Sequence, residues 1–363
     1  MRRREFLRRG GAAAAAVPAL AAPAIAEAMP ELNWRLASSF AKSLDAHYGT
    51  ALSLCRYVAE ATDGKFQLQA HAAGELTPSH QALDAVTSGA IACAHTPLSF
   101  YAGKDPTLGL GSGLPFGLNA RHQLSWWMFG GGGEIVNAAL KKFNVLGIPA
   151  GCTGARMGAW FKKEITALED LQGLRFRIGA LAGPILARIG VMPLSLAYAD
   201  VVAALQNGSI DAAEFSCPHD DEKLGLVRVA KYNHYPCWWE SAGMVHLVVN
   251  LEQWNALPKA YQGVLARACD AANAWMLAKY DAVNPPALKR LLAAGAVLKP
   301  FPPPVLDACY KASKEHFAEL CGKDAQFKRG FESAAAFRKE QAPWWQVAEH
   351  AANGLLVGTI GRA

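Results

Sequence analysis

The sequence predicts an α/β fold on three observations. The chain opens with a strand, helix, strand, helix succession, continues with apolar runs of strand length separated by helical patterns, and gives its last third to long helices. Leu32 to Phe40 alternates apolar residues before ending in small polar ones, as a strand does, and His47 to Thr62 then repeats with a helical period until Asp63-Gly64 stops it. Phe66 to Ala70 alternates again, and Ser79 opens a helix with Leu83, Val86 and Ile91 at helical spacing. Val145 to Pro149, Leu174 to Ile178, Val245 to Asn250 and Ala296 to Leu298 are the further strand-length runs, and their alternation with helices predicts mainly parallel pairing. Pro258 to Leu292 and Pro304 to Leu320 are the long helical patterns, with breaks expected at Asn284-Pro285-Pro286 and at Pro302-Pro303-Pro304. Gly130 to Gly133 lacks both the lysine of a phosphate loop and a preceding strand, and reads as a flexible turn.

Of the 363 residues, 36 are Lys or Arg and 30 are Asp or Glu, a formal charge of +6, and 52% are hydrophobic. Disordered and collagen-like chains are thereby excluded. Arg2, Arg3, Arg4, Arg8 and Arg9 stand against only Glu5 and Glu27 in the first 28 residues, so the remainder carries a thinly spread +3 without the basic patch of a nucleic-acid binder. Arg3-Arg4-Glu5-Phe6-Leu7 followed by an Ala-rich stretch to Ile25 has the parts of a twin-arginine export signal. Cleavage is expected at Ala24-Ile25-Ala26 or Ala26-Glu27-Ala28, and the expected destination is a bacterial periplasm; a retained basic anchor is the alternative. Cysteines 55, 93, 152, 217, 237, 269, 309 and 321 show no C-x-x-C and no zinc spacing, and are expected to be small buried hydrophobes. Cys152, Cys217 and Cys237 lie beside polar clusters, but packing is favoured over redox chemistry.

No nucleophile elbow, H-E-x-x-H, Walker lysine or dinucleotide fingerprint occurs after the signal. Four charges nevertheless stand in apolar company: Arg156 in Gly154-Ala155-Arg156-Met157-Gly158, Arg177 at the end of a strand run, Glu214 between Ala213 and Phe215, and Glu240 after Trp238-Trp239. A charge removed from water requires a partner, in the fold or in a ligand. The guanidinium fork of Arg177, beside Gly179 and Ala180, matches a carboxylate with two parallel hydrogen bonds. A solvated arginine on an edge strand, and structural salt bridges for Glu214 and Glu240, are the plainer alternatives. Trp126-Trp127 and Trp344-Trp345 read as packing or subunit contact.

The chain resembles the periplasmic solute-binding proteins of TRAP transporters, and among them the branch that binds 2-oxo acids such as pyruvate. The resemblance is carried by Leu36-Ala37-Ser38-Ser39-Phe40 with Lys42-Ser43-Leu44-Asp45, Ala61-Thr62-Asp63-Gly64, Ala73-Gly74-Glu75-Leu76, Gly103-Lys104-Asp105-Pro106-Thr107, Asp170 to Arg177, Ile210-Asp211-Ala212, Asp220 to Gly225, and Tyr235-Pro236 leading to Trp238-Trp239-Glu240. It implies two α/β lobes closing around a ligand cleft, followed by long C-terminal helices. The implied division is a signal at 1–28, lobe I at 29–153 and 242–285, lobe II at 154–241 and 286–340, and a helical tail at 341–363. It also implies that Arg177 holds a substrate carboxylate and that Glu214, Phe215 and Glu240 line the cleft, with Tyr101 a further candidate for closing it.

In the 2-oxo acid branch those groups surround a sodium ion. This chain departs from the branch at Arg156, where the sodium-binding members carry a glutamine, and at Phe215, where they carry tryptophan. Arginine has no acceptor atom and cannot ligate a cation, so the expectation is that Arg156 replaces the ion and no cofactor is required. Were a cation present, Glu214, Phe215 and Glu240 would hold it. The implied role is non-enzymatic capture of a small organic acid, a 2-oxo or 2-hydroxy monocarboxylate, for TRAP permease subunits, with a homodimer through the C-terminal helix. The competing readings are a secreted cofactor-dependent oxidoreductase or hydrolase, and a binding protein that feeds a sensor receptor.

Overall fold

A computed structural model describes residues 29–179, 181–196 and 200–360. The expected export signal and the last three residues of the tail lie outside them. The strands are β1 (Leu32–Ser38), β2 (Phe66–His71), β3 (Cys93–Thr96), β4 (Val145–Cys152), β5 (Ala159–Phe161), β6 (Arg175–Arg177), β7 (Met192–Leu194), β8 (Ala212–Glu214), β9 (Tyr232–Tyr235), β10 (Met244–Asn250) and β11 (Val297–Pro300). They form two sheets, one ordered β2-β1-β3-β10-β4 and the other β11-β9-β5-β8-β6-β7. The helices are α1 (His47–Ala61), α2 (Ala82–Thr87), α3 (Pro106–Ser112), α4 (Ala120–Phe129), α5 (Gly132–Leu140), α6 (Ala182–Ala187), α7 (Val201–Asn207), α8 (Pro218–Leu224), α9 (Leu251–Ala256), α10 (Lys259–Ala293), α11 (Pro303–Lys323), α12 (Ala325–Trp345) and α13 (Ala351–Thr359). This is the expected α/β class.

Pairing is mixed rather than mainly parallel. The local units behave as expected: β1 runs parallel to β2 and β3, β6 parallel to β7 and β8, and β11 parallel to β9. The exceptions are β10, antiparallel to β3 and β4, and β5, antiparallel to β8 and β9. Both adjoin places where the chain passes from one sheet to the other: residues 153–158 join β4 to β5, and residues 236–243 join β9 to β10. A right-handed helical crossover fixes direction within a sheet, whereas a strand arriving from the other sheet escapes that rule.

A second difference concerns Asn284-Pro285-Pro286, which does not end a helix. Helix α10 runs through both prolines from Lys259 to Ala293 and packs on α1 and β4 of the first sheet and on α8 of the second. Proline breaks helices by a local loss of hydrogen bonding, and here packing on both sides overrides it. Pro302 and Pro303 do mark a boundary, as the residues that open α11. Of Gly130 to Gly133, Gly130 caps α4 and Gly131, with φ of 81°, makes the turn, while Gly132 and Gly133 already belong to α5.

Helix α12, placed with lobe II by the expected boundaries, packs against α3, α4 and α5, and Trp126 Nε1 donates to Ser333 Oγ at 3.1 Å. Trp126 and Trp127 are core residues, whereas Trp344 is exposed. Beyond α12 the chain continues through a π turn into α13, whose Leu355, Leu356 and Val357, with Ile360 just beyond it, are exposed. No helix among the described residues is long and apolar enough to cross a membrane.

Candidate functional site

The carboxyl ends of parallel strands are where α/β folds place ligands, because loops diverge there and leave a crevice. Both sheets contribute such ends to one cavity of about 160 Å³. From the second sheet come Arg177, the last residue of β6, and Glu214, the last residue of β8, on strands paired in parallel through Phe176 with Ala212 and Arg177 with Ala213. Ile178, Gly179, Ser195, Phe215 and Ser216 follow directly. From the first come Phe40, Leu44 and His47 after β1, and Pro97, Ser99 and Phe100 after β3, with His80 from the loop between β2 and α2. The two segments that pass between the sheets bring Arg156 and Glu240.

The four charges singled out by their apolar company therefore converge, and each side chain is less than a fifth exposed. Glu214 divides its carboxylate between the two arginines: Oε1 accepts from Arg177 Nη1 at 2.6 Å and Oε2 from Arg156 Nη2 at 2.7 Å. Arg177 Nη1 also donates to the Glu214 carbonyl at 2.9 Å, and its Nε to the Leu196 carbonyl at 3.3 Å. Arg156 donates from Nη1 to Glu240 Oε2 and from Nη2 to the Phe215 carbonyl. Three of these partners are main-chain oxygens, so the backbone itself orients the guanidinium planes.

The local sequence makes room for this arrangement. At Gly243 φ is +53°, and an added Cβ would lie 2.2 Å from Thr153 Oγ1 and 3.2 Å from Arg156 Cδ, so only glycine lets the two connecting segments lie this close. At Gly158 a Cβ would lie 1.5 Å from the His234 carbonyl, which fixes where the chain enters β5.

Electrostatics divide the lining. Burial pushes the Glu240 carboxyl above its ordinary range, with Glu214 adding to the rise and Arg156 opposing it. Burial, helped by Arg156, holds His47 down to about 3, and burial with Arg177 lowers His80. Both rings are neutral at pH 7, so the cationic character of the cavity rests on the two guanidiniums. Behind the lining, Tyr280 Oη donates to Asp220 Oδ2 at 2.6 Å and lies 2.5 Å from His47 Nδ1, joining α10, α8 and α1.

Of the residues named from the sequence, Arg156, Arg177, Glu214, Phe215 and Glu240 line the cavity. Tyr101 does not: it is 1% exposed, with its hydroxyl 2.9 Å from Thr96 Oγ1 and accepting from the Leu83 amide at 3.3 Å. Its neighbour Phe100 takes the place expected for it, because in the single 3-10 turn after β3 adjacent side chains diverge, one to the core and one to the crevice. Phe40, His47, His80, Ser99 and Ser195 were not foreseen. Their common signal is position, since most lie in the loops that leave strand ends. All eight cysteines are free thiols. Burial pushes Cys152 up to about 11 and Cys237 to about 12 and raises Cys217, so the three nearest the cavity are protonated and poor nucleophiles.

A family model described as Bacterial extracellular solute-binding protein, family 7, matches residues 37–324. The chain is 42% identical to a monocarboxylate 2-oxoacid-binding periplasmic protein of Nostoc sp., over 96% of this chain and 97% of that protein. It is also 42% identical to a TRAP transporter solute-binding protein of Bordetella bronchiseptica, with a TM-score of 0.90 over 92% of this chain and 99% of that one. That protein was crystallised as a mixed-occupancy dimer, with copurified calcium and picolinate in one active site and the other apo. A TRAP periplasmic solute-binding protein of Pseudoalteromonas atlantica with bound sodium and pyruvate is 29% identical, with a TM-score of 0.86 over 89% of this chain and 99% of that one.

Proposed function

Since the chain belongs to the bacterial extracellular solute-binding proteins of family 7, which bind solutes and do not convert them, we propose that it captures a 2-oxo or 2-hydroxy monocarboxylate on Arg177 and Arg156 for a TRAP permease. The observation that carries this reading is the convergence of two buried guanidiniums on one small cavity at strand carboxyl ends. A planar fork fixed by main-chain carbonyls is pre-organised, so little rotamer entropy remains to be lost when a carboxylate arrives. Glu214 divides its carboxylate between both guanidiniums, and burial raises Glu240 against the pull of Arg156, so the cluster favours an incoming carboxylate as a further acceptor. At about 160 Å³ the cavity lies well below the ~300–1,000 Å³ that drug-sized ligands occupy, which suits a molecule of few heavy atoms. The names of the Nostoc and Pseudoalteromonas relatives point to the same ligand class.

The lobes in this reading are the two sheets with their helices, meeting at residues 153–158, 236–243 and α10. Export through the Arg3-Arg4 leader would deliver the chain to the periplasm. Pairing of two copies through the C-terminal helix would cover Leu355, Leu356, Val357 and Ile360, which are 63% to 77% exposed in the single chain. Light scattering of the full chain and of a chain ending at Trp345 tests this: a dimer that becomes a monomer on truncation supports it, and a monomeric full chain removes it.

A thermal-shift and calorimetric screen tests the ligand, because whatever binds only the folded state raises Tm by mass action. Pyruvate, 2-oxobutyrate and lactate are expected to raise Tm, with acetate weaker and sugars inert. A screen in which sugars or amines bind and no carboxylate does would overturn the reading.

A further inference from the structure

The Bordetella and Pseudoalteromonas relatives carry calcium and sodium with their organic acids, and this chain's own acceptors show whether such an ion fits. Glu214 Oε2, Glu240 Oε2 and the Phe215 carbonyl converge from the end of β8, the residue after it, and the 236–243 segment. They make an all-oxygen set of the kind that hard cations take, at ~2.3–2.6 Å for calcium. Here all three accept from a single group, the guanidinium of Arg156, whose Nη2 is 2.7 Å from Glu214 Oε2. An ion at coordination distance from those oxygens would overlap the guanidinium nitrogens, and arginine offers no lone pair in exchange. The residues present do not fit a resident metal.

Resting on the carboxylate-binding reading above, we propose that the Arg156 guanidinium is a covalently attached replacement for the metal ion, so that this chain binds its organic acid without a cation. We further propose that the oxygens beneath it become a hard-cation site once that side chain is shortened. Two features show that the arginine is seated and not merely present. Its three partner oxygens come from two separate stretches of chain, residues 214–215 and residue 240, with Nη2 serving the first and Nη1 the second. Gly243 supplies the space for its stem, since a Cβ there would press on Arg156 Cδ at 3.2 Å. Glu214 also ties Arg156 to Arg177, so the replacement cation and the ligand-holding arginine share one carboxylate, a coupling that a diffusible ion would supply only when bound.

The first test uses calcium alone, by equilibrium dialysis of the full chain with no organic acid. Wild type is expected to bind none at this site, Arg156→Gln to bind one ion per chain, and Arg156→Gln with Glu240→Gln to lose it. The second test titrates pyruvate into each protein with EDTA in sodium-free buffer, and again with calcium. Wild-type affinity is expected to be the same in both, whereas Arg156→Gln should bind more than about tenfold more weakly in EDTA and recover with calcium. The proposal is overturned if wild type binds pyruvate only with a cation, if wild type holds calcium that Glu240→Gln abolishes, or if natively folded Arg156→Gln binds no calcium. Should Arg156→Gln fail to fold, the wild-type titrations decide alone. If wild type binds no organic acid under any condition, the functional reading fails instead, and calcium dialysis still decides the role of Arg156.

Discussion

The two walls of the cavity are built from different chemistry. The second sheet presents Arg177 and Glu214 at strand ends, tied through Arg156 to Glu240, whereas the first sheet presents Phe40, His47, His80, Pro97, Ser99 and Phe100, rings and neutral donors without a formal charge at pH 7. The rings are paired, Phe40 with His47 at a centroid separation of 4.2 Å and His80 with Phe100 at 4.4 Å. In the proposed reading, the difference divides recognition from closure. One wall would supply the electrostatic anchor, and the other would supply shape and the exclusion of water, which strengthens every charged contact opposite.

Four experiments break or sharpen this division. The largest expected effect is on the charged wall itself. Glu214→Gln leaves two buried guanidiniums sharing less negative charge, a loss of about 3–5 kcal/mol in urea unfolding, with pyruvate restoring Tm by more than it adds to wild type. An unchanged unfolding midpoint would mean that the cluster is solvated and the walls are alike. Next, Arg177→Ala is expected to lower pyruvate affinity by about 2–5 kcal/mol, roughly 30-fold to several thousandfold by calorimetry. Retained affinity would place the anchor elsewhere.

The third experiment concerns protons. Burial holds His47, His95 and His246, all on the side of the first sheet, down to about 3. Each takes up a proton in the unfolded chain below about 6.5 but not in the folded one, so the stability they confer is present at neutral pH and lost as pH falls from 6.5 toward 3. Asp221 of α8 works in the opposite sense: burial raises it to about 7, so its folded form keeps a proton between 7 and its ordinary range and gains stability on acidification. The three histidines are expected to prevail, so Tm should fall between pH 7 and pH 5, and fall less in His246→Leu. A rising Tm would assign the acid response to the second sheet. The smallest effect belongs to the neutral wall, where Phe100→Ala should weaken pyruvate by only about tenfold. A loss as large as that of Arg177→Ala would erase the distinction.

The same asymmetry decided what could be read from the sequence. Arg156, Arg177, Glu214 and Glu240 were legible because a charge among apolar residues requires explanation, and burial supplies few. Phe40, His80 and Ser99 were not, since aromatic and hydroxyl residues near strand ends are common whether or not a cavity follows. Tyr101 was misplaced by a single position because spacing does not say which of two adjacent rings in a 3-10 turn faces inward. Apolar alternation located β1, β2, β4 and β10 to within a few residues, but it carries no information on direction, and so β5 and β10 run against the expected sense. The proline pair in α10 illustrates how packing from two sides outweighs a local rule.

That helix has a mechanical consequence. It is a long rod that packs on β4 of the first sheet and on α8 beside the second, so a separation of the walls would be absorbed along it or at its ends. Pro285 and Pro286 have no amide hydrogen to give the carbonyls of Asp281 and Ala282, one turn earlier, so the backbone is least restrained just beyond Tyr280, where the rod is fastened to Asp220 and His47. The rod therefore carries its softest joint one turn from the rivet at Tyr280.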